Sequence, residues 1–453
     1  MLYAYTKQRY TSSRGNVLFN SAALTKLHSI ILIVVIVFAS IGAVSIFVLW
    51  DEKKPSSETI KIGVCADLDN IVGTAIWQGA RLAAEQVNAE GGVLGRKFEI
   101  VAEDDDSESL VDPIIFTNAF TKLITIDNAD FVVANFIGFS YREIAVEHKK
   151  IIFTVNDITE NLTQGVLDNY DRYKYYFRAG WGNMTSAIEG TIKSIVACRE
   201  YTGFNKIAFI YLSGLEFFLS PIIEALIEYG FDVVLSESVP WESLDYSSSF
   251  AKAEAAGAEI LYPMILGDNG IAFIKEYYER QSPMIMWGKV EIAETVDFWQ
   301  MTQGKCEYIC NYGYPVVAGY PLTTKTLPTR EAYIERWGEG IISHAAAAYD
   351  TVRFILPDSI KRAGTIETEA VIKALEETDI ETSSARHFVF TPSHDVMTKI
   401  EVGSNRPNED GMIVIIFQWQ NGELVPICPK EFMEEAGASF IFPDWSGPWD
   451  NIG

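Results

Sequence analysis

The residues able to do chemistry in this chain are few and poorly matched to one another. Five histidines are scattered along 453 residues. His387 and His394 flank the stretch FVFTPS, where they read as surface or locally satisfied polar groups. There is no G-x-S-x-G, no H-E-x-x-H, no P-loop and no G-x-G-x-x-G after a strand. The usual supports for nucleophilic, zinc-dependent, phosphoryl-transfer and dinucleotide chemistry are therefore missing. Cys306 and Cys310 stand four apart in GKCEYICNYG. In a strand that spacing is roughly 13 Å, too far for a direct bridge, and no second pair or nearby His completes a zinc site. Asp104, Asp105 and Asp106 end a strand and read as strand-end acids rather than a metal site. The expectation is a protein that is not an enzyme and has no cofactor and no metal. Aromatic residues that either pack a core or wall a ligand are Trp77, Phe136, Trp181, Phe217, Phe218 and Tyr312.

The elements that must position such groups are set by the opening stretch, 60–106. IKIGVCA reads as a strand and DLDNIVGT as a polar loop. In AIWQGARLAAEQVNAEGG, Ile76, Ala80, Ala83 and Val87 recur at helical spacing, and Gly91-Gly92 stops the helix. A second strand follows over 97–103. A β-loop-α-β unit predicts a parallel sheet covered by helices. The alternation continues with a helix over 112–126 and strands over 130–135 and 151–155. A second series has helices over 186–200, 221–229, 250–256 and 270–280. Its strands cover 206–212, 232–239, 259–265 and 284–288. In open parallel sheets ligands bind beyond the carboxyl ends of the strands. The loops FIGFS and NDITENLT after the first-series strands therefore face the expected cleft.

WQGARLAAEQVNAEGGVLGRKFEIVAEDD resembles the first unit of type I periplasmic binding proteins of the branched-chain amino acid (Leu/Ile/Val-binding) branch, the solute-binding subunits of ABC importers. HAAAAYDTVRFI, IKRAGTIETEAVIKAL and VIIFQWQNGELVP are similar to later helices and the closing hairpin of that family. The resemblance implies an α/β fold with two doubly wound parallel-sheet lobes joined by crossover strands, one crossover running through YDRYKYYFRAGWGNMTS. Lobe 1 is then 60–178 and 315–385, and lobe 2 is 179–314 and 386–453. It implies hinge closure over a small ligand. An amino acid is a zwitterion, and buried charge needs partners. The family's contacts fall here on the loops holding Asn135, Phe136, Ser140, Asn156 and Thr159. Glu291, in WGKVEIA, falls where the family often carries the acid that meets an ammonium. Trp181, Asn183, Phe217, Phe218 and Tyr312 complete the expected ligand set. The family's Ser-Gly first loop and Gly-Pro-x-Ser-Ser loop are replaced here by DLDNIVG and ANFIGFS, so the ligand need not be an amino acid.

Residues 27–50 carry no Asp, Glu, Lys or Arg. A helix over them spans roughly 36 Å, enough to cross a bilayer. Lys7, Arg9, Arg14 and Lys26 precede it, with no acid among them, and Asp51 and Glu52 follow. The positive-inside rule puts 1–26 in the cytoplasm and the rest outside. The reading is an uncleaved transmembrane anchor with 51–59 as linker; the competing one is a signal peptide cleaved near Ala43. The formal net charge is −25, and the part after residue 50 is more acidic still. That argues against nucleic acid and anionic headgroups as partners. The partners implied by the resemblance are a small molecule and the ABC permease and ATPase subunits. A rival is a sensory ectodomain acting through a membrane partner.

Overall fold

A computed structural model of the protein describes residues 59–106, 113–135, 139–398 and 411–452. The segment 1–26 expected to be cytoplasmic, the span expected over 27–50, the linker expected over 51–59 as far as residue 58, Phe136 and the side chain of Ser140 lie outside the described residues. Among the described residues no helix is long and apolar enough to cross a membrane.

Strands β1 (Ile60–Ala66), β2 (Phe98–Asp104), β3 (Phe131–Ala134), β4 (Ile151–Thr154) and β5 (Tyr176–Arg178) form a parallel sheet in the order β2-β1-β3-β4-β5. Ile60, Ile62, Val64, Val133 and Phe153 face one apolar layer, shared with the helix Ile71–Ala89. Cys65, Val132, Ala134, Ile152 and Tyr176 face the opposite layer. Burial on both faces is why these strands read as unbroken apolar runs. The helix Ile71–Ala89 starts at Asn70, whose side chain accepts hydrogen bonds from the Val72 and Gly73 amides. This satisfies donors that a helix start leaves bare. Its Gly79 meets the helix Ser343–Asp350: a Cβ there would lie 2.2 Å from the Ala345 carbonyl oxygen. The small residues of QGA and HAAAA thus let two helices touch backbone to backbone, which fixes the place of His344.

The second sheet holds β6 (Lys206–Leu212), β7 (Asp232–Val239), β8 (Ile260–Ile265), β9 (Ile285–Met286) and β10 (Lys289–Val290). Its order is β10-β8-β6-β7, with β9 also paired to β8. The single strand expected over 284–288 is split into β9 and β10. The cause is Gly288, where a Cβ would lie 2.5 Å from the Pro263 carbonyl oxygen. The chain presses on its neighbour there and turns, and Lys289 and Glu291 follow the turn.

The strands β11 (Cys310–Gly313), β14 (Ile415–Gln420) and β15 (Glu423–Cys428) form an antiparallel sheet, while β12 (Asp379–Ile380) pairs with β13 (Phe388–Val389). Among the described residues the chain passes between the two cores at several points. Ala179, Tyr314, Ile415 and Phe417 belong to the first; Cys310, Ile416 and Trp419 belong to the second, with Met184 packed against it. The sequence reading gives all of 386–453 to the second lobe. Instead Phe388, Phe390 and Val396 pack in the first core, Phe390 edge-on to Phe177 at 5.0 Å. The aromatic end of β5 offers these apolar residues a burial site close at hand.

At the end of β5, Arg178 is fully buried and ion-paired to Asp395. Its Nε donates to the Asp157 carbonyl at 2.6 Å and a terminal nitrogen to the Thr159 carbonyl at 2.6 Å. A charge this deep is tolerable only with such partners, and these partners hold the loop after β4 in place. None of the five cysteines forms a disulfide, and all are buried. Cys65 lies in the first sheet's packing and Cys198, Cys306, Cys310 and Cys428 in the second core.

Candidate functional site

A cavity of about 300 Å³ opens between the two cores. On the first-core side the loop after β4 supplies Asn156 and Thr159. The Asn156 Nδ2 donates to Asn135 Oδ1 at 3.0 Å, and His344 Nε2 meets Asn156 Oδ1 at 2.9 Å. Glu291 Oε1 lies 3.8 Å from the same His344 nitrogen. With the Asn156 Nδ2 committed to Asn135, its Oδ1 faces the ring as an acceptor, and the nearby Glu291 charge favours a donor on the same side, so the imidazole carries its proton on Nε2. His344 is 2% exposed. Burial, the largest influence, holds its pKa below the ordinary value, while the Glu291 and Glu294 carboxylates oppose it and Lys289 adds to it. The ring is neutral at neutral pH. Its Nδ1 has no hydrogen-bond partner among the described residues.

Trp181 stands on the first pass between the cores, in AGWG. Its φ is +59°, a left-handed conformation that costs a bulky residue about 1–3 kcal/mol. Two contacts hold it there. A Cβ on Gly180 would lie 2.4 Å from the Val155 carbonyl oxygen, so the backbone is pressed onto the end of β4. The Trp181 amide donates to the Tyr314 hydroxyl at 2.7 Å. The indole then stands 5.6 Å from the His344 ring and 6.1 Å from Tyr312, centre to centre. Its Nε1 has no hydrogen-bond partner among the described residues.

The second-core side brings charge and apolar surface. The Lys289 ammonium bonds Glu294 and, at 3.2 Å, the Tyr312 carbonyl; it sits 4.9 Å from the ring centres of both Trp181 and Tyr312. Glu294 also accepts from the Ser343 amide at 2.7 Å, and Glu291 accepts from the Gly267 amide at 2.9 Å. Two carboxylates of the second core thus meet the first residues of the helix Ser343–Asp350, where the helix dipole favours negative charge. Around them stand Ile158, Met184, Leu215, Phe218, Trp241 and Met264. Trp241 is held by a bond from its indole nitrogen to the Ser213 carbonyl at 2.8 Å. Phe217, 61% exposed, stands at the rim. Such a chamber, apolar except for a polar end, suits reversible capture of a small molecule. Among the described residues no group of three or more His, Cys, Asp or Glu is arranged to hold a metal ion.

Of the residues singled out in the sequence, Asn156, Thr159, Trp181, Phe217, Phe218, Glu291 and Tyr312 line the cavity. Asn135 stands one hydrogen bond behind it, through Asn156. Asn183 does not line it: its side chain caps the helix Met184–Thr202 by accepting from the Ser186 amide at 2.9 Å, and donates to Asp395. Helix starts attract Asn for that purpose. Trp77 packs on Trp337, ring centres 5.6 Å apart, within the first half. Sequence reasoning missed Lys289, His344 and Trp241. Lys289 had a signal: it is the first residue after the strand read over 284–288, at a strand end where a ligand has to lie. His344 opens an alanine-rich helix and gave none.

The chain matches the family described as periplasmic binding protein over residues 59–406. A Leu/Ile/Val-binding protein homolog of Brucella suis is 23% identical over 411 residues, covering 85% of this chain and 96% of its own length. Among solved structures, the branched-chain amino acid substrate-binding protein of Streptococcus pneumoniae, in complex with isoleucine, is similar with TM-score 0.66 and 18% identity, covering 82% of this chain and 100% of that one. A solute-binding protein of an ABC transporter from R. palustris, in complex with benzoate, has TM-score 0.66 and 15% identity, covering 82% and 96%. The family match and the two-lobed α/β fold around a cleft agree: the chain belongs to the periplasmic binding protein family.

Proposed function

We propose that the protein is the solute-binding component of an ABC-type importer, held to the outer face of the membrane by residues 27–50. It takes an amino acid or a similar small ligand into the cleft and closes its two lobes over it, with no covalent chemistry. The observation that carries this reading is the chamber itself. It lies between two cores that only a few passes of chain join. Its polar end combines Glu291, Asn156 and His344, and its walls are aromatic and aliphatic. Glu291 is the partner for a ligand ammonium. A permease and an ATPase are the implied partners. The isoleucine and benzoate carried by similar proteins support a small ligand with an apolar body.

A second reading, an uncharged amide-type ligand, has one observation in its favour. Lys289, the cation at the cavity wall, already bonds Glu294 and the Tyr312 carbonyl, which lowers its worth as partner for a ligand carboxylate. Native mass spectrometry of the full-length protein released from detergent tests both. An amino acid carried into the gas phase supports the first reading and an amide the second; a stable empty protein from cells grown on rich medium counts against both. Protease added to intact cells tests the anchor, which predicts a soluble fragment beginning within 51–59. Finding a mature chain free in the medium without residues 1–43 would refute it.

A further inference from the structure

Resting on the solute-binding reading, we propose that His344 is a specificity-determining residue of this cleft. Its Nδ1 accepts a hydrogen bond from an N–H or O–H on the ligand head group, and Asn135 and Asn156 are the positioning residues that set its tautomer.

Three observations converge on this. His344 lines the cavity and is almost wholly buried, so no bulk water serves its ring. Both acceptors near the ring, Asn156 Oδ1 and Glu291 Oε1, lie on the Nε2 side. The proton is therefore drawn to Nε2 and Nδ1 is left with a bare lone pair. That lone pair has no partner among the described residues. A buried acceptor left unmade is costly, and here the cost falls on the empty cleft. A ligand that presents a donor removes it; a ligand without one leaves it in place and is rejected. The Asn135–Asn156–His344 chain is anchored to the backbone just beyond β3 and β4, where the Asn156 amide donates to the Asn135 carbonyl at 3.2 Å, so the acceptor is held rather than adaptable. The head group selected is a donor-bearing one, such as an ammonium, an amide or a hydroxyl, on an apolar body.

The test separates this role from a merely structural one. In glutamine the polar atoms replace Nε2, so His344→Gln keeps the bond to Asn156 and loses the acceptor at Nδ1. In asparagine they replace Nδ1, so His344→Asn keeps the acceptor and loses the bond to Asn156. Calorimetry on the full-length protein would use three pairs of probes. They are hexanamide with N,N-dimethylhexanamide, hexylammonium with hexyltrimethylammonium, and L-isoleucine with its N-trimethyl derivative. The proposal expects a donor-bearing member to bind wild-type protein at least about tenfold more tightly than its methylated counterpart. It expects His344→Gln to lose that advantage and His344→Asn to keep it. The reverse order of the two variants, or methylated probes binding as well as their parents, overturns the proposal and leaves the solute-binding reading standing. Wild-type protein that binds none of the six counts against both. Imidazole 15N spectra of the ligand-free protein give a check that needs no variant: Nδ1 at the unprotonated position is expected, and a protonated Nδ1 overturns the proposal.

Discussion

The two faces of the cleft are built on different plans. The first-core face offers neutral polar groups, Asn156, Thr159 and His344, each tied to backbone or to another side chain before any ligand arrives. The second-core face offers large apolar side chains, with the charged pair Lys289 and Glu294 bonded to each other and Glu291 bonded to the Gly267 amide. One face fixes direction and the other supplies burial. The division suits a chamber that must be selective and yet release what it holds: oriented hydrogen bonds discriminate, and apolar area provides affinity without direction.

The largest effect that would break this comparison lies behind the first face. Arg178→Met leaves Asp395 buried without its cation and frees the Asp157 and Thr159 carbonyls. We expect a loss of about 3–5 kcal/mol in folding stability, read by urea unfolding, with a marked loss of ligand affinity. Affinity unchanged in a folded Arg178→Met protein would show that the first face does not depend on this anchor.

Charge on the second face comes next. Glu291→Gln should weaken binding of an ammonium ligand by at least about tenfold. The melting temperature of the ligand-free protein should hardly move, since a glutamine oxygen can still accept from the Gly267 amide. Asp268→Asn, in the same loop, should cost less. Unchanged affinity in the Glu291 variant would remove the ammonium from the proposal and favour an uncharged head group.

Acid should act mainly through the first face. His344 has its pKa lowered by burial, with Glu291, Glu294 and Lys289 around it. His394, on the first core, is lowered by burial too, with Glu376 and Asp395 beside it. A group whose folded pKa lies below its unfolded value binds its proton first in the unfolded chain. The stability it contributes is complete above about pH 6.5 and declines as the pH falls toward the folded value. Denaturant titrations between neutral pH and about pH 5 should show this decline, with a smaller slope in His344→Asn. A slope identical in that variant would clear His344 of the effect. The smallest expected change sharpens the comparison at the rim: Phe217→Ala should alter folding stability by no more than about 0.5 kcal/mol, because the ring is largely exposed. It should still weaken ligand binding by a few fold once closure buries that ring.

Much of the frame was legible because the central strands of a parallel sheet are buried on both faces and run apolar, while an edge strand keeps at least an apolar stretch. KIAFIYL and DVVLSESV give β6 and β7 with the bounds read from the sequence. The break between β9 and β10 was not legible, since Gly288 yields only to the approach of Pro263, a neighbour remote in sequence. At the site, Asn156, Thr159 and Glu291 were found because they follow strand ends, where a ligand has to lie. Leu215, Trp241 and Met264 were not, since an apolar ligand wall and a core have the same composition. Asn183 misled because a cap and a ligand donor call for the same side chain.

The five buried thiols have a consequence for kinetics. With no disulfide to hold and no exposed sulfur, each cysteine is silent until the packing around it parts. A thiol reagent added to the native protein would therefore run as a clock with two hands. Four sulfurs keep time for the second core and one for the first sheet. The order in which they are modified would tell which half of the molecule opens first, without any label having been introduced.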